Sequence, residues 1–339
     1  AYIGVNYQTI GRVGQQLGAD LYLGPIYTWG TIGGRTDFYM WKPVFLDYSY
    51  NFAVRNFRHG SFGNITKIDN TRQVKNSESF FSVAAGMPLA HRGVFLIRAN
   101  GGHVNYRYDS DELFADDTDH SRYSFFGIKA ELARNTLDKF LYPRRGSDLK
   151  LSGIFVTGRD KYEPFDAEKF LSRTSRQWVG ARLTWDKYFD MPGCSWFSLG
   201  LNVDGVITNH PEFTTEGATV MSMRAYEPVP HAQMIYMPDF RGKRFAAGGV
   251  MPTFDLMPNF FLRTGFYAMF REKRSFVPGV SGPVEDKRWH YIAEASLVYH
   301  TPIGPVSLAL TKYDLRNWKN MYLTFNFGYA IFAPKGTFY

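Results

Sequence analysis

The sequence predicts an all-β protein, a transmembrane antiparallel β-barrel of about 16 strands built from a single domain over residues 1–339. Three observations predict it: a two-residue alternation of side-chain character held over ten or more residues, an aromatic content of 17%, and connections that alternate between short and long. In an extended strand, successive side chains point to opposite faces. Alternation therefore makes one face apolar and the other small and polar. Runs of this length exceed the ~5–6 residues of an average soluble strand and match the ~9–11 of a tilted strand crossing a bilayer.

Taken in order, the candidate strands cover 2–9, 17–28, 43–55, 61–69, 77–87, 93–106, 122–135, 147–159, 176–189, 195–208, 244–257, 259–272, 289–300, 303–313 and 320–332. The clearest is the last, with Met321, Leu323, Phe325, Phe327, Tyr329 and Ile331 on one face and Tyr322, Thr324, Asn326, Gly328 and Ala330 on the other. Phe126, Ile128, Ala130 and Leu132 repeat the pattern, as do Leu149, Leu151, Gly153 and Phe155. Phe197, Leu199, Leu201 and Val203 make a fourth such row, and Tyr291, Ala293, Ala295, Leu297 and Tyr299 a fifth. Single-chain bacterial barrels close with an even number of strands, so one more strand is expected, around 33–42 or upstream of Ala1. Trp178, Trp185, Tyr188, Trp196, Trp289 and Tyr299 lie near strand ends, where an interfacial aromatic girdle would sit.

The connections support the same architecture. Turns at 143–146, 192–193 and 302–305 are short and rich in Pro and Gly, whereas 109–120, 159–175 and 209–243 are long and polar. Short turns on one rim and long loops on the other characterise an outer-membrane barrel. A large soluble sandwich or propeller is the competing reading.

Composition removes other classes. With 45% hydrophobic and 21% charged residues, the chain has enough apolar surface to fold. No window approaches the ~18–20 apolar residues of a spanning helix. The net charge is +8, but the basic residues never cluster into a run of five, which argues against nucleic acid as a partner. Cys194 is the single cysteine, so no intrachain disulfide or Cys-based zinc site is expected. The N-terminus lacks the basic and apolar regions of a signal peptide; for an exported protein this implies a processed chain or an excerpt of a longer one.

Motifs for catalysis are missing. There is no G-x-S-x-G, H-E-x-x-H or G-x-x-x-x-G-K-[ST] pattern, and the 8 His are dispersed. No cofactor and no metal site are expected. The acidic stretch Asp109, Asp111, Glu112, Asp116, Asp117 and Asp119 lacks the Gly and distal Glu of a calcium loop and reads as a solvated loop. Asp204 with Gly205 has no nucleophilic serine to serve and reads as structural.

Three stretches are more specific. Residues 135–147 contain Leu137 and Asp138 followed by the turn Pro143, Arg144, Arg145 and Gly146. Residues 237–243 contain Phe240, Arg241 and Gly242 at the end of the longest loop, and 299–305 contain Thr301, Pro302, Ile303, Gly304 and Pro305. In this order, over most of 120–332, they resemble the surface-antigen barrel superfamily that includes BamA. The approach Ala225, Tyr226, Glu227, Pro228, Val229, Pro230 and His231 is most similar to the C-terminal barrel of Bacteroidota patatin-like phospholipases. Lys243 after Gly242 departs from the BamA pattern, which has an aromatic there.

The resemblance implies a bacterial outer-membrane location and a long loop folded into the lumen. Arg241 would then be a buried lumenal cation, with Glu294, Arg263 and Tyr267 as candidate partners, because an unpaired buried guanidinium costs several kcal/mol. The alternative is a solvated Arg241. Gly242 suits a tight backbone at the loop tip. Functionally, the resemblance implies a barrel that anchors and exports an upstream patatin-like phospholipase domain, with the lipase serine and aspartate outside this chain. The alternatives are a BamA-like assembly or translocation barrel with upstream periplasmic repeats, and a structural subunit of an outer-membrane complex. A passive pore is a further class, disfavoured by a loop in the lumen. The partners implied are the lipid bilayer, lipopolysaccharide, and other outer-membrane or periplasmic proteins.

Overall fold

The computed structural model describes residues 2–11, 13–24, 27–39, 42–58, 73–90, 92–109, 118–163, 172–214, 216–229, 232, 235, 237–272, 289–302, 304–313, 315 and 321–328. The strands are β1 (Tyr2–Ile10), β2 (Gly14–Tyr22), β3 (Tyr27–Tyr39), β4 (Pro43–Arg58), β5 (Gln73–Leu89), β6 (Gly93–Asp109), β7 (Thr118–Asn135), β8 (Gly146–Glu163), β9 (Ser172–Asp190) and β10 (Phe197–Thr208). A short helix α1 (Glu216–Ser222) and the two-residue strands β11 (Arg224–Ala225) and β12 (Arg241–Gly242) follow. The chain then resumes with β13 (Arg244–Met257), β14 (Phe260–Arg271), β15 (Trp289–Thr301), β16 (Gly304–Tyr313) and β17 (Met321–Phe327).

Fifteen of these strands form one antiparallel sheet in sequence order, and β11 pairs with β12 apart from it. The expected missing strand is β3, whereas the candidate strand 61–69 lies outside the described residues. The run expected at 17–28 divides between β2, which ends at Tyr22, and β3, which starts at Tyr27 and pairs back on it antiparallel. Several strands outrun their expected ends: β7 and β8 have 18 residues and β9 has 19. At ~3.3 Å per residue and a ~45° tilt, such a strand rises roughly 40 Å, beyond a ~25–30 Å hydrocarbon layer.

The sheet curls around the 209–243 segment. Glu227, in that segment, interacts electrostatically with Arg55 on β4 and with Tyr313 on β16, strands far apart in the ladder. Among the described residues, β1 and β17 are the two edges, with no ladder between them. The strand ends Tyr39/Pro43, Leu89/Gly93, Asn135/Gly146, Asp190/Phe197, Met257/Phe260 and Thr301/Gly304 lie on one rim, where the connections are short. The ends Arg58/Gln73, Asp109/Thr118, Glu163/Ser172, Thr208/Arg244, Arg271/Trp289 and Tyr313/Met321, joined by longer stretches of sequence, lie on the other.

The alternation resolves into an outward apolar face and an inward polar one. Phe126, Ile128, Leu132, Leu151, Phe155, Phe325 and Phe327 are exposed on the outside, while Ser152, Asp204, Glu294 and Ser296 are buried inside. In water such a coat would be prohibitive, and against lipid it is the stable arrangement. Trp196, Trp289 and Tyr299 face outward near strand ends, as a girdle requires. Trp178 and Tyr188 do not. Their registers, Val156↔Trp178 and Gly146↔Tyr188, put them on the inner face, where both are buried. Proximity to a strand end did not distinguish the two faces, and parity did.

An arginine at Leu151, midway along the outward row of β8, is expected to cost roughly 2–4 kcal/mol in a bilayer, and at Thr157, near the belt's edge, at most about 1 kcal/mol. Urea titration of the two variants in phosphatidylcholine vesicles measures the difference. Equal costs would contradict this placement of the belt.

Candidate functional site

The lumenal segment begins where β10 ends. Thr208 Oγ1 donates to the Val179 carbonyl (2.7 Å), and Val179 N–H donates to Asn209 Oδ1 (2.7 Å), so the chain stays tied to β9 as it turns inward. His210 and Phe213 then enter an aromatic cluster on the inner wall. The His210 ring lies 4.4 Å from Trp178, and Phe213 lies 5.1 Å from Tyr123. Asp160, fully buried on β8, accepts hydrogen bonds from Ser121 Oγ (3.1 Å), Thr214 N–H (3.0 Å) and Thr214 Oγ1 (3.0 Å). A buried carboxylate satisfied this way holds the segment in register with the wall.

Arg241 organises the rest. It is buried, and its Nη1 donates to the carbonyls of Met221 (3.0 Å) and Met223 (3.1 Å) at the C-terminal end of α1. The last carbonyls of a helix lack intrahelical donors and carry partial negative charge, so a guanidinium there satisfies them and meets the local field. The β11–β12 ladder, Arg224↔Gly242 and Ala225↔Arg241, brings the two ends of the segment together. Tyr226 N–H donates to the Phe240 carbonyl (2.8 Å) and Tyr226 OH to Asn202 Oδ1 on β10 (2.7 Å). Phe240, the last residue of the 3-10 turn Pro238–Phe240, packs edge-on against His290 and Tyr313. Gly242 is extended, and a Cβ there would meet its nearest atoms at 3.6 Å, an ordinary contact. The tight backbone expected at this position is therefore absent, because Gly242 pairs as a strand residue.

Glu294, Arg263 and Tyr267 share the inner face of β14 and β15. Glu294 acts electrostatically on both Arg263 and Tyr267 and accepts a hydrogen bond from Ser296 Oγ. Arg263 donates to Tyr188 OH (3.3 Å) and lies over the Tyr142 ring at 5.5 Å. Arg241 acts electrostatically on Tyr106, on the wall at β6. The carbonyls of Met221 and Met223 were not foreseeable as its partners, since backbone acceptors carry no residue-type signal.

At the short-turn rim the 136–145 connection folds back on itself. Asp138 Oδ1 accepts from the N–H groups of Arg144 (3.0 Å) and Arg145 (3.3 Å), and Arg144 pairs with Asp255 on β13. Pro143 is buried, Arg145 pairs with Asp190 (2.8 Å), and Gly146 has φ +103°, where a Cβ would lie 2.2 Å from the Thr136 carbonyl. The turn directs Tyr142 inward, to a 2.9 Å hydrogen bond with Ser307 and contact with Phe261. Asp204 pairs with Arg182 (2.9 Å). Among the described residues no cluster of His, Cys, Asp and Glu has a metal-binding arrangement; the acidic stretch 110–117 lies outside them.

No family model and no curated protein matches the sequence. Solved structures do. BamA from Haemophilus ducreyi lacking POTRA domains 1-3 aligns with a TM-score of 0.61 at 12% identity, covering 96% of this chain and 68% of that one. CdiB from Acinetobacter baumannii aligns with a TM-score of 0.51 at 10% identity, covering 96% and 55%. The chain has the fold of an outer-membrane β-barrel. This chain spans only part of the length of either structure. The shared fold, with the outward apolar coat, localises the barrel to the bacterial outer membrane.

Two outcomes follow for the lumenal segment of this barrel. Arg241→Ala removes two charge-assisted bonds, each worth ~1.5–3 kcal/mol, and is expected to raise protease cleavage within 209–243 at least about tenfold while the barrel stays folded. Unchanged cleavage would mean that Arg241 does not hold the segment. Burial, aided by Lys243 and Arg176 against an opposing hydrogen bond at Pro211, pulls His210 down to about 3. Released from the lumen, the imidazole would return to ~6.5. The displaced state thus binds more protons below that pH, and docking weakens by up to about 1.4 kcal/mol per pH unit as pH falls from 6.5 toward 3. Hydrogen exchange of the segment at pH 7 and pH 4.5 reads this slope, and His210→Phe is expected to flatten it.

Proposed function

We propose that this chain is the membrane-embedded barrel of an outer-membrane assembly or translocation protein. The observation that carries this reading is the lumenal segment, pinned to the wall at Asp160 and to the end of α1 at Arg241. Such a barrel is blocked at rest and opens only when the segment leaves, which suits handling of a polypeptide better than passive diffusion.

A finer version makes the handled polypeptide an upstream patatin-like phospholipase domain, which this barrel would anchor and export. The approach at 225–231 favours it, and its catalytic serine and aspartate would belong to that domain. The bilayer, lipopolysaccharide and other outer-membrane or periplasmic proteins are the partners this reading calls for.

Depletion of the full-length protein in its own cells separates the versions. A general fall in folded outer-membrane proteins is expected for an assembly role, and loss of one surface-exposed lipase activity for the anchoring role. If neither changes, both readings fail and a structural subunit remains. In planar bilayers the wild-type barrel is expected to conduct little, and Arg241→Ala to open frequently; a steady large conductance in the wild type would contradict a blocked lumen.

A further inference from the structure

Beyond the apolar belt, toward the long-loop rim, the outward faces of β5 to β8 carry a basic array. Lys75, Arg107 and His120 form one cross-strand row through the registers Lys75↔Arg107 and Arg107↔His120. A second row is Asn105↔Arg122 and Arg122↔Lys161, and a third is His103↔Ser124 and Ser124↔Arg159. Arg107, Arg122 and Arg159 are exposed. At the long-loop end of the same face the register also places Glu163 opposite His120 and Asp109 opposite Thr118. Like charges directly opposite each other on a strand pair are destabilising, and here the arrangement repeats at Lys75↔Arg107 and Arg122↔Lys161. With five Lys and Arg residues in these rows against two carboxylates, the face stays net basic, and the ladder itself gives no reason for the two like-charge pairs.

The position of the array supplies one. With strands ~4.8 Å apart, it spans about 15 Å across four strands. It lies directly above Phe126 and Phe155 of the belt, at the depth where lipid headgroups meet the barrel wall. Longer loops mark the extracellular side of such barrels, so the array faces the outer leaflet. Beside it, sharing β5, an apolar groove of about 580 Å³ runs down the wall, lined by Val5, Leu17, Ile32, Phe81 and Val83.

We propose that this array binds the phosphorylated headgroup of lipopolysaccharide, with an acyl chain of the same molecule in the adjoining groove. The inference rests on the reading of the chain as an outer-membrane barrel with its long-loop rim outside. Phosphates neutralise the opposed cations, and each basic side chain near an anionic headgroup adds attraction that bulk phosphate, lacking the apolar tail, does not retain. The site is therefore selective for a lipid that is both multiply phosphorylated and anchored in the leaflet.

The test uses the full chain folded in phosphatidylcholine nanodiscs, with insertion checked by heat-modifiable migration. Lipopolysaccharide, its dephosphorylated form, phosphatidylglycerol and inorganic phosphate are titrated separately. Saturable lipopolysaccharide binding is expected, and the variant R107Q/R122Q/R159Q/K161Q is expected to bind at least about tenfold more weakly. Arg134→Gln with Lys187→Gln, also outward but nearer the other rim, should leave binding unchanged. If the fourfold variant does not insert, R107Q/R122Q alone is expected to show a smaller loss. Wild-type affinity in an inserted array variant overturns the site, as does equal binding of the dephosphorylated form, or of phosphate. A wild-type chain that fails to insert at all defeats the membrane-barrel reading instead.

Discussion

Inside hydrocarbon no water is available to hydrogen-bond the backbone, so each N–H and C=O must find a partner in the protein. This constraint accounts for the unbroken antiparallel ladder from β1 to β17 and for strands of up to 19 residues. It also forces the sheet to coil, and coiling needs places where neighbouring strands approach closely. Tyr267 lies flat over Gly249 and Gly265, where an added Cβ would stand 2.1 Å and 2.7 Å from its ring atoms. Phe45 covers Gly86 in the same manner, at 2.3 Å. Pairing an aromatic with a facing glycine lets the ring pack along the wall and keeps the sheet curved.

Coiling turns the polar face inward and creates a space that must be filled. The wall charges meet this in pairs, such as Arg182 with Asp204 at 2.9 Å and Arg55 with Glu78 at 3.4 Å. The 209–243 segment meets it with a second, interior hydrophobic core. Phe213, Ala218 and Met221 pack against Tyr106, Tyr123 and Trp178. Phe240, Tyr226 and Val229 pack against Tyr267, Ile292 and Tyr313. The aromatic residues therefore serve two media, lipid outside and a packed lumen inside. The segment's polar anchors, Asp160 and Arg241, sit among these rings, where an unsatisfied partner is expensive. This is why single substitutions there are expected to release the segment while the wall survives.

The period of the outer rows was legible because lipid rewards only one face, and a one-residue slip would invert every side chain. Leu149, Leu151 and Phe155, and likewise Leu323, Phe325 and Phe327, are outward where alternation puts them. Strand ends were less legible, since β7 to β9 continue beyond the belt, where neither face is apolar. The split between β2 and β3 was hidden for a related reason: Tyr22, Leu23 and Tyr27 keep an apolar character across the boundary. At the site, Arg241 was marked by its motif, but Asp160, Thr214 and Phe213 carried no pattern of their own. Their roles depend on a contact between residues about fifty positions apart.

Alternation, strand length and the two kinds of connection were sufficient to determine a membrane barrel and its two rims, because they reflect local geometry and the surrounding solvent. Only the folded chain decided which aromatics face the lumen, that Arg241 closes the end of α1, and that the basic side chains of β5 to β8 converge. Register sets those neighbours, and register is a property of pairs of strands. A single chain read along its length shows which side chains share a face; the ladder alone shows which of them meet.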